Sequence, residues 1–391
     1  PAYRWTTDVY VLGEIADGKL DGDLLVKGYG DPFLVTERVW RLLRRIRHEG
    51  IDEITGDLLI DDSWFDVADH DPAAFDNQPL RAYNVAPNAL LTNFKVVRYW
   101  FEHDGERVRV RMDPELDNLR VDNRLSVRQG YCGGFQRGIA VNMNGDNDKV
   151  IFSGRFPSGC RRYAMDRTAL SHNAFTYGLF RSLWEEAGGV LGGAWRNVRK
   201  DDLIDDDETE PLVSFPSQPQ VEMITRVNKH SNNVMARQVL YTLAAEVNGP
   251  PGTEAGGREV IEKWLEEKNL SSCKMALENG AGLSRETRIC ASGMAAMLRF
   301  AWRQPYMPEY VASMSLSGLD GTLRRRFTDS ELVGTAHLKT GSLDHVAAIA
   351  GYLQARSGRR FAVVALHNHE DIHRGYGEEV QEALLRWLYD Q

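Results

Sequence analysis

A lysine, a threonine and a glycine follow one another near the C-terminal end of the chain, where residues 336–353 read AHLKTGSLDHVAAIAGYL. Lys339 and Gly341 are two residues apart, so on a strand their side chains lie on one face and Thr340 lies on the other. A glycine here allows another backbone to approach closely. The segment therefore predicts a strand edge to which a substrate peptide adds as an extra strand. Lys339 would supply positive charge, and Thr340 or Ser342 would hold a terminal carboxylate.

A serine and an asparagine that suit the same cleft occur earlier in the chain. Apolar spacing predicts one helix through Val227 and another from Val234, and Ser231 and Asn233 fall between them. A Ser-x-Asn at such a junction aims a hydroxyl and a carboxamide into a cleft. Alternatively, these residues only cap a helix, because serine and asparagine commonly begin helices. The Lys-Thr-Gly segment holds an acyl substrate but cannot attack it, so a nucleophile is still required.

The only Ser-x-x-Lys in the sequence joins Ser271 to Lys274. A working pair of this kind needs one turn of helix, which brings side chains three or four residues apart onto one face. The segment CKMALENG instead has the pattern of a strand, where positions three apart face opposite ways. We therefore interpret Ser271 as a decoy.

The elements that position these residues change in character along the chain. Up to about residue 100, strand patterns surround the helical segment TERVWRLLRRIRHEG, one face of which carries Val39, Leu42, Leu43 and Ile46. The stretches GDLLVKGYGDPFL and TGDLLIDDSWFD on either side of it are similar to each other. Two similar strands around one helix predict a small α+β domain.

Strictly alternating strand patterns then fill residues 101–164, for example in ERVRVRM and DKVIFSGRF. The acidic run KDDLIDDDETE predicts an exposed connection. From Pro216 onward the chain is mainly helical, and it finishes with the strands AAIAGYLQA and RFAVVALHNH and the helix GEEVQEALLRWLY. The RSGRR turn makes the two strands a hairpin, so this sheet is at least partly antiparallel.

Composition limits the class of protein. At 391 residues the chain exceeds one ordinary hydrophobic core, so two or three domains are expected. Its 42% hydrophobic and 26% charged residues are typical of a soluble globular protein, and a net charge of −9 gives no support for nucleic-acid binding. No apolar run approaches the length of a membrane span. Because the chain opens on strand-like PAYRWTTDVY, without Met or a signal sequence, we expect a processed or truncated polypeptide.

The four cysteines are spaced as two local pairs. Cys132 and Cys160 bracket two predicted strands joined by a Gly/Asn/Asp turn, and Cys273 and Cys290 bracket KMALENGAGLSRETRI. A disulfide that closes such a short loop is geometrically natural and indicates an oxidising compartment. The alternative is four buried free thiols, as in a cytosolic protein. We predict at least one disulfide and find no Cys or His spacing typical of zinc.

Taken together, several segments resemble one family. Ser231-x-Asn233 followed by Lys339-Thr340-Gly341 has the order of the S-D-N and K-T-G motifs of β-lactamases and penicillin-binding proteins. ENGAGLSR, SLSGLDGTLRRRF and HLKTGSLDHVAAIAGYL look like the D-alanyl-D-alanine carboxypeptidase/endopeptidase family, the class C low-molecular-mass penicillin-binding proteins. YRWTTDVY, GDLLVKGYGDPFL, TGDLLIDDSWFD and AYNVAPNALLTNF resemble that family's inserted domain. The resemblance thus covers essentially the whole chain.

The resemblance implies an α/β (α+β) multidomain fold. A transpeptidase-like, penicillin-binding domain with an antiparallel sheet and helices is expected at 213–391, with its N-terminal part missing. An inserted α+β domain is expected at 1–100 and 165–212, and a β-rich domain nested in that insert at 101–164. In the family the nucleophilic Ser-x-x-Lys precedes the insert, ahead of where this chain begins. The resemblance therefore implies that the nucleophile is missing from this chain. Ser271 falls between the other two motifs, which is the wrong order.

The resemblance also implies acyl-enzyme catalysis, in which an activated serine attacks the D-Ala-D-Ala carbonyl, releases D-alanine and is freed by water or an amine. Ser231 then relays a proton, Asn233 hydrogen-bonds the substrate's side amide, and Lys339 attracts the carboxylate and lowers nearby pKa values. Thr340 binds that carboxylate, and the backbone N–H near Ser342 gives half of the oxyanion hole. Peptidoglycan stem peptides as substrates, β-lactams as inhibitors, no cofactor and a periplasmic location are expected.

Other functions fit parts of the sequence. The segment HNHEDIHRG places three histidines and two acids close enough to suggest zinc: His367, His369, Glu370, Asp371 and His373. A polar strand end is the simpler interpretation, so no metal site is predicted. A non-catalytic module or pseudoenzyme that binds peptidoglycan peptides leads if the gene carries no Ser-x-x-Lys upstream. A β-lactamase is disfavoured, because large inserted domains have no evident use in hydrolysing a small drug. No oligomeric state is predicted.

Overall fold

The computed structural model describes residues 1–134, 138–199, 209–270, 273 and 275–391. The described residues form two compact units, one of Trp5–Ser217 and one of Gln218–Gln391 together with Pro1–Arg4. Both units combine helices with sheets, so the predicted α+β class is confirmed.

The first unit is built around one mixed sheet. In chain order its elements are β1 (Thr6–Ala16), β2 (Lys19–Gly28), α1 (Thr36–His48), β3 (Glu53–Ile54), β4 (Leu58–Asp61), β5 (Val96–His103), β6 (Val108–Asp113), β7 (Arg120–Arg128), β8 (Ile139–Met143), β9 (Lys149–Pro157), β10 (Arg162–Thr168), α2 (His172–Glu186), β11 (Val190–Leu191), β12 (Trp195–Asn197) and β13 (Val213–Pro216). The sheet has the order β11-β3-β2-β1-β13, and β4 and β12 extend it from β2. The two similar stretches of the sequence become β2 and β4, which pair in parallel with Leu24 opposite Leu58. Both leucines are fully buried, so the similar stretches form the centre of the core.

Helix α1 forms where the sequence predicts it. Val39, Leu42, Leu43 and Ile46 recur every three or four residues and are all buried. The burial of this one face against the core holds the helix in place. Gly50 follows the helix with a φ of +91°, a conformation that glycine adopts without a steric penalty.

Two three-stranded sheets form the region that the sequence predicts as β-rich. One has the order β10-β5-β6 and is antiparallel, and the other has the order β7-β9-β8. Phe101 of β5 and Phe152 of β9 are fully buried, and their ring centroids lie 5.0 Å apart, so aromatic packing joins the sheets. Cys132 and Cys160 form a disulfide that closes the loop containing the antiparallel strands β8 and β9.

Strand β13 belongs to the first unit, although we assigned residues 213–391 to the transpeptidase-like domain. Val213–Pro216 pair antiparallel with Thr6–Val9 of β1. Val213 and Phe215 are both buried in the core of this unit, and this burial favours the pairing. The division of the chain into three domains stays a prediction.

The second unit contains a four-stranded antiparallel sheet and six helices among its described residues. In chain order its elements are α3 (Gln220–His230), α4 (Asn233–Asn248), α5 (Glu254–Glu267), α6 (Ala291–Trp302), α7 (Met307–Ser313), β14 (Ser315–Leu316), β15 (Ala336–Leu343), β16 (Val346–Gln354), β17 (Arg360–Asn368) and α8 (Tyr376–Tyr389). The sheet order is β14-β15-β16-β17, and the predicted hairpin of the last two strands is confirmed. Leu338, Ile349 and Val363 of the sheet and Leu385 of α8 share one buried core.

The second predicted disulfide, Cys273–Cys290, is also present, so both predicted pairs are confirmed. Ser271 and Lys274, which we interpret as a decoy, lie outside the described residues, as do residues 200–208 of the acidic run. Within the described part of the chain, no helix has the length and apolar character needed to cross a membrane.

Candidate active site

Ser231 is the first of the two residues that join helix α3 to helix α4. Its φ of 51° and ψ of 46° place it in the left-handed region, which costs a residue other than glycine about 1–2 kcal/mol. The helix cap is the neighbouring Asn232, whose side chain accepts a hydrogen bond from the Met235 N–H at 3.0 Å. The alternative that these residues only cap a helix therefore applies to Asn232. The strained backbone of Ser231 turns its hydroxyl toward the sheet.

Lys339 on strand β15 contacts that hydroxyl. Its Nζ donates a hydrogen bond to the Ser231 Oγ at 2.5 Å and another to the backbone carbonyl of Thr340 at 2.7 Å. The bond to Ser231 spans 108 residues of chain, so the fold brings together two groups that the sequence separates widely.

The Lys339 ammonium is half-buried, and burial lowers its pKa from the ordinary value. No carboxylate among the described residues lies within ion-pair distance to offset this desolvation. A lysine in such surroundings gives up a proton more readily than an exposed one. The Lys339–Ser231 pair can therefore move a proton between nitrogen and oxygen over one hydrogen bond.

Asn233 begins helix α4 beside Ser231, and its Nδ2 donates to the carbonyl of Ala281 at 2.9 Å. Ala281 lies in the ENGAGLSR loop. Asn279 shapes that loop by accepting from the Ala281 N–H at 3.0 Å and donating to the Leu283 carbonyl at 2.8 Å. The Asn233 carboxamide is thus held by this loop.

The edge of strand β15 is open beside these groups. The short strand β14 pairs only with His337 and Leu338, so from Lys339 onward no described strand covers this edge. Gly341 and Ser342 are exposed there. A Cβ placed on Gly341 would meet only the Ala348 Cβ, at an ordinary 3.5 Å. The chain's own packing therefore does not require a glycine at this position.

Thr340 faces the other way and joins a row of hydroxyls. Its Oγ1 donates to the Thr322 Oγ1 at 3.0 Å, and the Thr322 N–H donates to the Ser315 Oγ at 3.1 Å. Ser315 and Thr322 belong to the SLSGLDGTLRRRF segment. The resemblance placed this segment in the family but gave its residues no role, so Thr322 is a site residue that the sequence analysis missed.

A second lysine near the site was also missed. Lys229, two residues before Ser231, forms an ion pair with Asp320, whose Oδ1 accepts from the Leu316 N–H at 2.8 Å. Burial alone would raise the pKa of Asp320, but the hydrogen bonds from Lys229 and Leu316 lower it overall. Only the position of Asp320 in an Asp-Gly turn could have marked it. The pair connects α3, and with it Ser231, to the turn that follows β14.

The histidines of the rejected zinc hypothesis serve other contacts. The His373 Nδ1 accepts from the His345 N–H at 3.1 Å, and the His369 Nδ1 accepts from the Asp371 N–H at 3.3 Å. In the ranges that the structure describes, no three His, Cys, Asp or Glu side chains are grouped to hold a metal ion. The absence of a metal site stays a prediction.

The arrangement of the site residues indicates a class of protein. A Ser-x-Asn between two helices, facing a Lys-Thr-Gly on an antiparallel strand edge, is the arrangement of β-lactamases and penicillin-binding proteins. The family model for the D-Ala-D-Ala carboxypeptidase 3 (S13) family matches residues 1–391. The chain therefore belongs to that family.

Two relatives and one solved structure illustrate this membership. The chain is 22% identical over 379 residues to the D-alanyl-D-alanine carboxypeptidase DacB of Haemophilus influenzae, covering 94% of this chain and 76% of the relative. It is 26% identical over 363 residues to the D-alanyl-D-alanine carboxypeptidase of Actinomadura sp., covering 88% of this chain and 65% of the relative. The crystal structure of penicillin binding protein 4 (dacB) from H. influenzae superposes with a TM-score of 0.82 at 21% identity, over 100% of this chain and 87% of that one. The same protein in complex with a β-lactam superposes at 0.73, with 20% identity and coverage of 94% and 80%.

These comparisons confirm three predictions made from the sequence: the D-Ala-D-Ala carboxypeptidase family, its multidomain α+β fold and the serine-peptidase class. The comparisons do not test the roles of the individual site residues, which stay predictions. Ser231, Asn233, Lys339 and Thr340 lie in the contacts described above, and Gly341 and Ser342 lie on the exposed edge beside them.

Proposed function

We propose that this protein acts as a serine-type D-Ala-D-Ala carboxypeptidase/endopeptidase on peptidoglycan stem peptides, through an acyl-enzyme that penicillin also forms. The observation that carries the proposal is the 2.5 Å hydrogen bond from the Lys339 Nζ to the Ser231 Oγ, beside Asn233 and an open strand edge. Membership of the D-Ala-D-Ala carboxypeptidase 3 (S13) family supports the same activity.

Ser231 and Lys339 would act together as a proton relay. When the peptide bond breaks, the departing D-alanine nitrogen needs a proton, and the Ser231 hydroxyl passes one on from Lys339. The lowered pKa of Lys339 favours this transfer. Asn233 would donate a hydrogen bond to the side amide of the substrate once the peptide replaces its contact with Ala281.

The open edge of β15 would bind the peptide backbone as an added strand. Gly341 would leave space for the close approach, and the N–H near Ser342 would stabilise the carbonyl oxygen as it becomes negative. Thr340 would bind the terminal carboxylate through its hydroxyl, which already donates to Thr322. Lys339, whose Nζ donates to the Thr340 carbonyl, would add positive charge nearby.

The attacking serine is the one role to which no residue is assigned. The sequence contains a single Ser-x-x-Lys, at Ser271 to Lys274. This observation favours a second candidate function, in which the 391 residues bind peptidoglycan peptides without turning them over. The two candidates share the peptide-binding edge and differ in acylation.

Acylation is tested by incubating the chain with a labelled penicillin, followed by intact mass and peptide mapping. A stoichiometric adduct supports the hydrolase, and its position identifies the nucleophile. An adduct on Ser271 would overturn the decoy interpretation. The absence of any adduct would favour the binding function for these residues.

Peptide binding is tested by calorimetry with diacetyl-L-Lys-D-Ala-D-Ala. Lys339→Ala removes the charged partner of the carboxylate, and we expect affinity to fall roughly ten- to a hundredfold. The matched control is Lys263→Ala, an exposed lysine of the same unit on α5, which should bind like the unaltered chain. Equal affinity of the Lys339→Ala and Lys263→Ala variants would refute both candidate functions.

A location outside the cytoplasm accompanies this function. Two disulfides form stably only in an oxidising compartment, and the proposed substrate is a cell-wall peptide. We propose the bacterial periplasm. Thiol labelling of the protein in cells, before and after reduction, would reveal free cysteines if this were wrong.

A further inference from the structure

A second cavity lies wholly within the Trp5–Ser217 unit and takes no part in the proposed peptidase chemistry. Its volume is about 620 Å³, within the range of small-molecule sites. Three cationic side chains line it: Arg81, Lys95 and Arg167. Among the described residues of its lining, none is an Asp or a Glu. The cavity thus collects positive charge in a protein whose net charge is −9.

Two carboxylates that interact with the lining arginines also accept hydrogen bonds from other groups. Both oxygens of Asp166 accept from Arg98, at 2.7 and 3.0 Å. Asp76 accepts from the Tyr83 hydroxyl at 2.6 Å and from the Asn84 amide at 2.9 Å. Asp166 still raises the pKa of Arg167, and Arg81 lowers the pKa of Asp76, so each acid offsets part of the positive charge without itself lining the cavity.

The cations also act on one another. Burial lowers the pKa of Arg167, and the nearby Arg81 lowers it further. Burial also lowers the pKa of Lys95, whose Nζ has no hydrogen-bond or carboxylate partner among the described residues. Burial, with additional repulsion from Lys95, lowers the pKa of His172 to about 3. An anion in the cavity would relieve this like-charge repulsion.

Backbone strain collects at the same place. Four residues of the lining other than glycine have positive φ angles: Asn77 (56°), Lys95 (54°), Asn147 (56°) and Leu170 (62°). Such conformations cost about 1–3 kcal/mol each and tend to cluster at functional sites. Lysine and leucine lack the short polar side chain that lets asparagine form a local hydrogen bond in this conformation, so the fold holds Lys95 and Leu170 in these positions at a cost.

The rest of the lining limits the size and polarity of an occupant. Ile139, Val141 and Met143 alternate along β8 and form one apolar wall, and amides of Asn142 and Gln78 add polar groups. We propose that this cavity binds a small organic anion, with a carboxylate or phosphate held by Arg81, Lys95 and Arg167 and an apolar portion against β8. The guanidinium groups suit either anion, because both accept paired hydrogen bonds.

The proposal is tested with two probes on the full 391-residue chain, γ-glutamyl-leucine for the carboxylate and phenyl phosphate for the phosphate. Calorimetry should detect millimolar or tighter binding of at least one probe, and the stronger probe identifies the source of the anion. The uncharged N-acetyl-leucinamide and phenol should not bind. We expect Arg167→Met and Lys95→Met each to weaken binding roughly ten- to a hundredfold.

The matched control is Arg109→Met, which removes an exposed arginine from β6 in the same unit and should bind like the unaltered chain. Circular dichroism of all variants ensures that weaker binding is not unfolding. Binding of neither probe, or equal binding by the Arg167→Met, Lys95→Met and Arg109→Met variants, overturns the proposal. Penicillin acylation is a separate measurement, so this result stands apart from the proposed peptidase function.

Discussion

Lys339 and Lys95 are two half-buried lysines, one in each unit, and they differ in the hydrogen-bond partners of their ammonium groups. Burial lowers the pKa of both, and neither has a carboxylate partner among the described residues. Lys339 nevertheless donates to the Ser231 Oγ and the Thr340 carbonyl. The Lys95 side chain has no such partner and lines an open cavity. Lys339 is thus held by hydrogen bonds within the chain, whereas we propose that the partner of Lys95 is a bound anion.

This difference separates a site that does chemistry from a site that only binds. A proton relay needs its two groups at hydrogen-bond distance before substrate arrives, because a small displacement costs much of the rate. A binding pocket instead benefits from unsatisfied charge, which the ligand then neutralises. A change at one of the two lysine sites should therefore leave the other site unaffected.

The largest expected effect comes from removing either disulfide. Loops of 28 and 17 residues correspond to losses of about 3.6 and about 3.1 kcal/mol for Cys132→Ser/Cys160→Ser and Cys273→Ser/Cys290→Ser. The loop closed by Cys132–Cys160 contains β8, which forms the apolar wall of the cavity. Removing this disulfide should therefore weaken the binding of phenyl phosphate but not of the D-Ala-D-Ala peptide. The second contains Ala281, which holds Asn233, so its loss should weaken D-Ala-D-Ala peptide binding alone. Urea unfolding and calorimetry measure both effects.

The double variants serve as controls for each other. If both weakened both ligands equally, the two sites would not be the independent local structures described here. The comparison between the lysines would then reflect global stability.

Gly321→Ala should have the next largest effect, and only on the Lys339 site. A Cβ there would lie 2.2 Å from the Ser315 Oγ and 2.9 Å from the Lys229 carbonyl, with φ at +56°. We expect the free energy of unfolding to fall by about 2–3 kcal/mol, from contact and backbone strain together. Gly358→Ala is the control, because its φ is +83° and no atom lies within 4 Å. Thermal unfolding of both variants isolates the contact, and equal losses would contradict tight packing around Ser315.

The two lysines also differ in how far the sequence predicts them. Lys339 stands in a motif with a known order of partners, and the apolar periodicity around Ser231 placed that serine at a helix junction. Helix α1 and both disulfides follow from local patterns as well. These features were predictable because each depends on residues close together in the chain.

Contacts between distant segments were not predictable in the same way. Thr322 and Asp320 come to the site only because the turn after β14 folds back on α3 and β15. Lys95 and Arg167 are far apart in sequence, and no spacing rule joins them into one cavity. Similarly, we assigned β13 to the C-terminal domain, but it pairs with β1 because its apolar face fits the core of the first unit. Packing decides these positions, and a single sequence does not encode packing as a local pattern.

A smaller effect is expected from relieving the backbone strain of a positive φ angle, which a side-chain hydrogen bond offsets at Ser231 but not at Lys95. Lys95→Gly should raise the free energy of unfolding by about 0.5–1 kcal/mol, because glycine relieves the φ of 54° and no side-chain hydrogen bond is lost. Ser231→Gly relieves a similar φ of 51° but removes the acceptor of the Lys339 ammonium, so it should bring no gain. Urea unfolding of both variants makes the test. A gain for Ser231→Gly as large as that for Lys95→Gly would mean that the Ser231–Lys339 bond contributes nothing.

The smallest effect is in the pH dependence of stability. Because burial lowers the folded-state pKa of each lysine below its unfolded value, the unfolded chain binds more protons in the pH range just below 10.5. Stability relative to Lys339→Met or Lys95→Met should therefore rise as pH increases toward 10.5 and be constant at neutral pH. Phenyl phosphate favours the charged form of Lys95 and should reduce that rise for Lys95 while leaving it unchanged for Lys339. Urea unfolding at pH 7 and pH 10, with and without the anion, measures the difference. An anion effect of equal size at both lysines would show that general ion binding, and not an open cavity beside Lys95, separates the two sites.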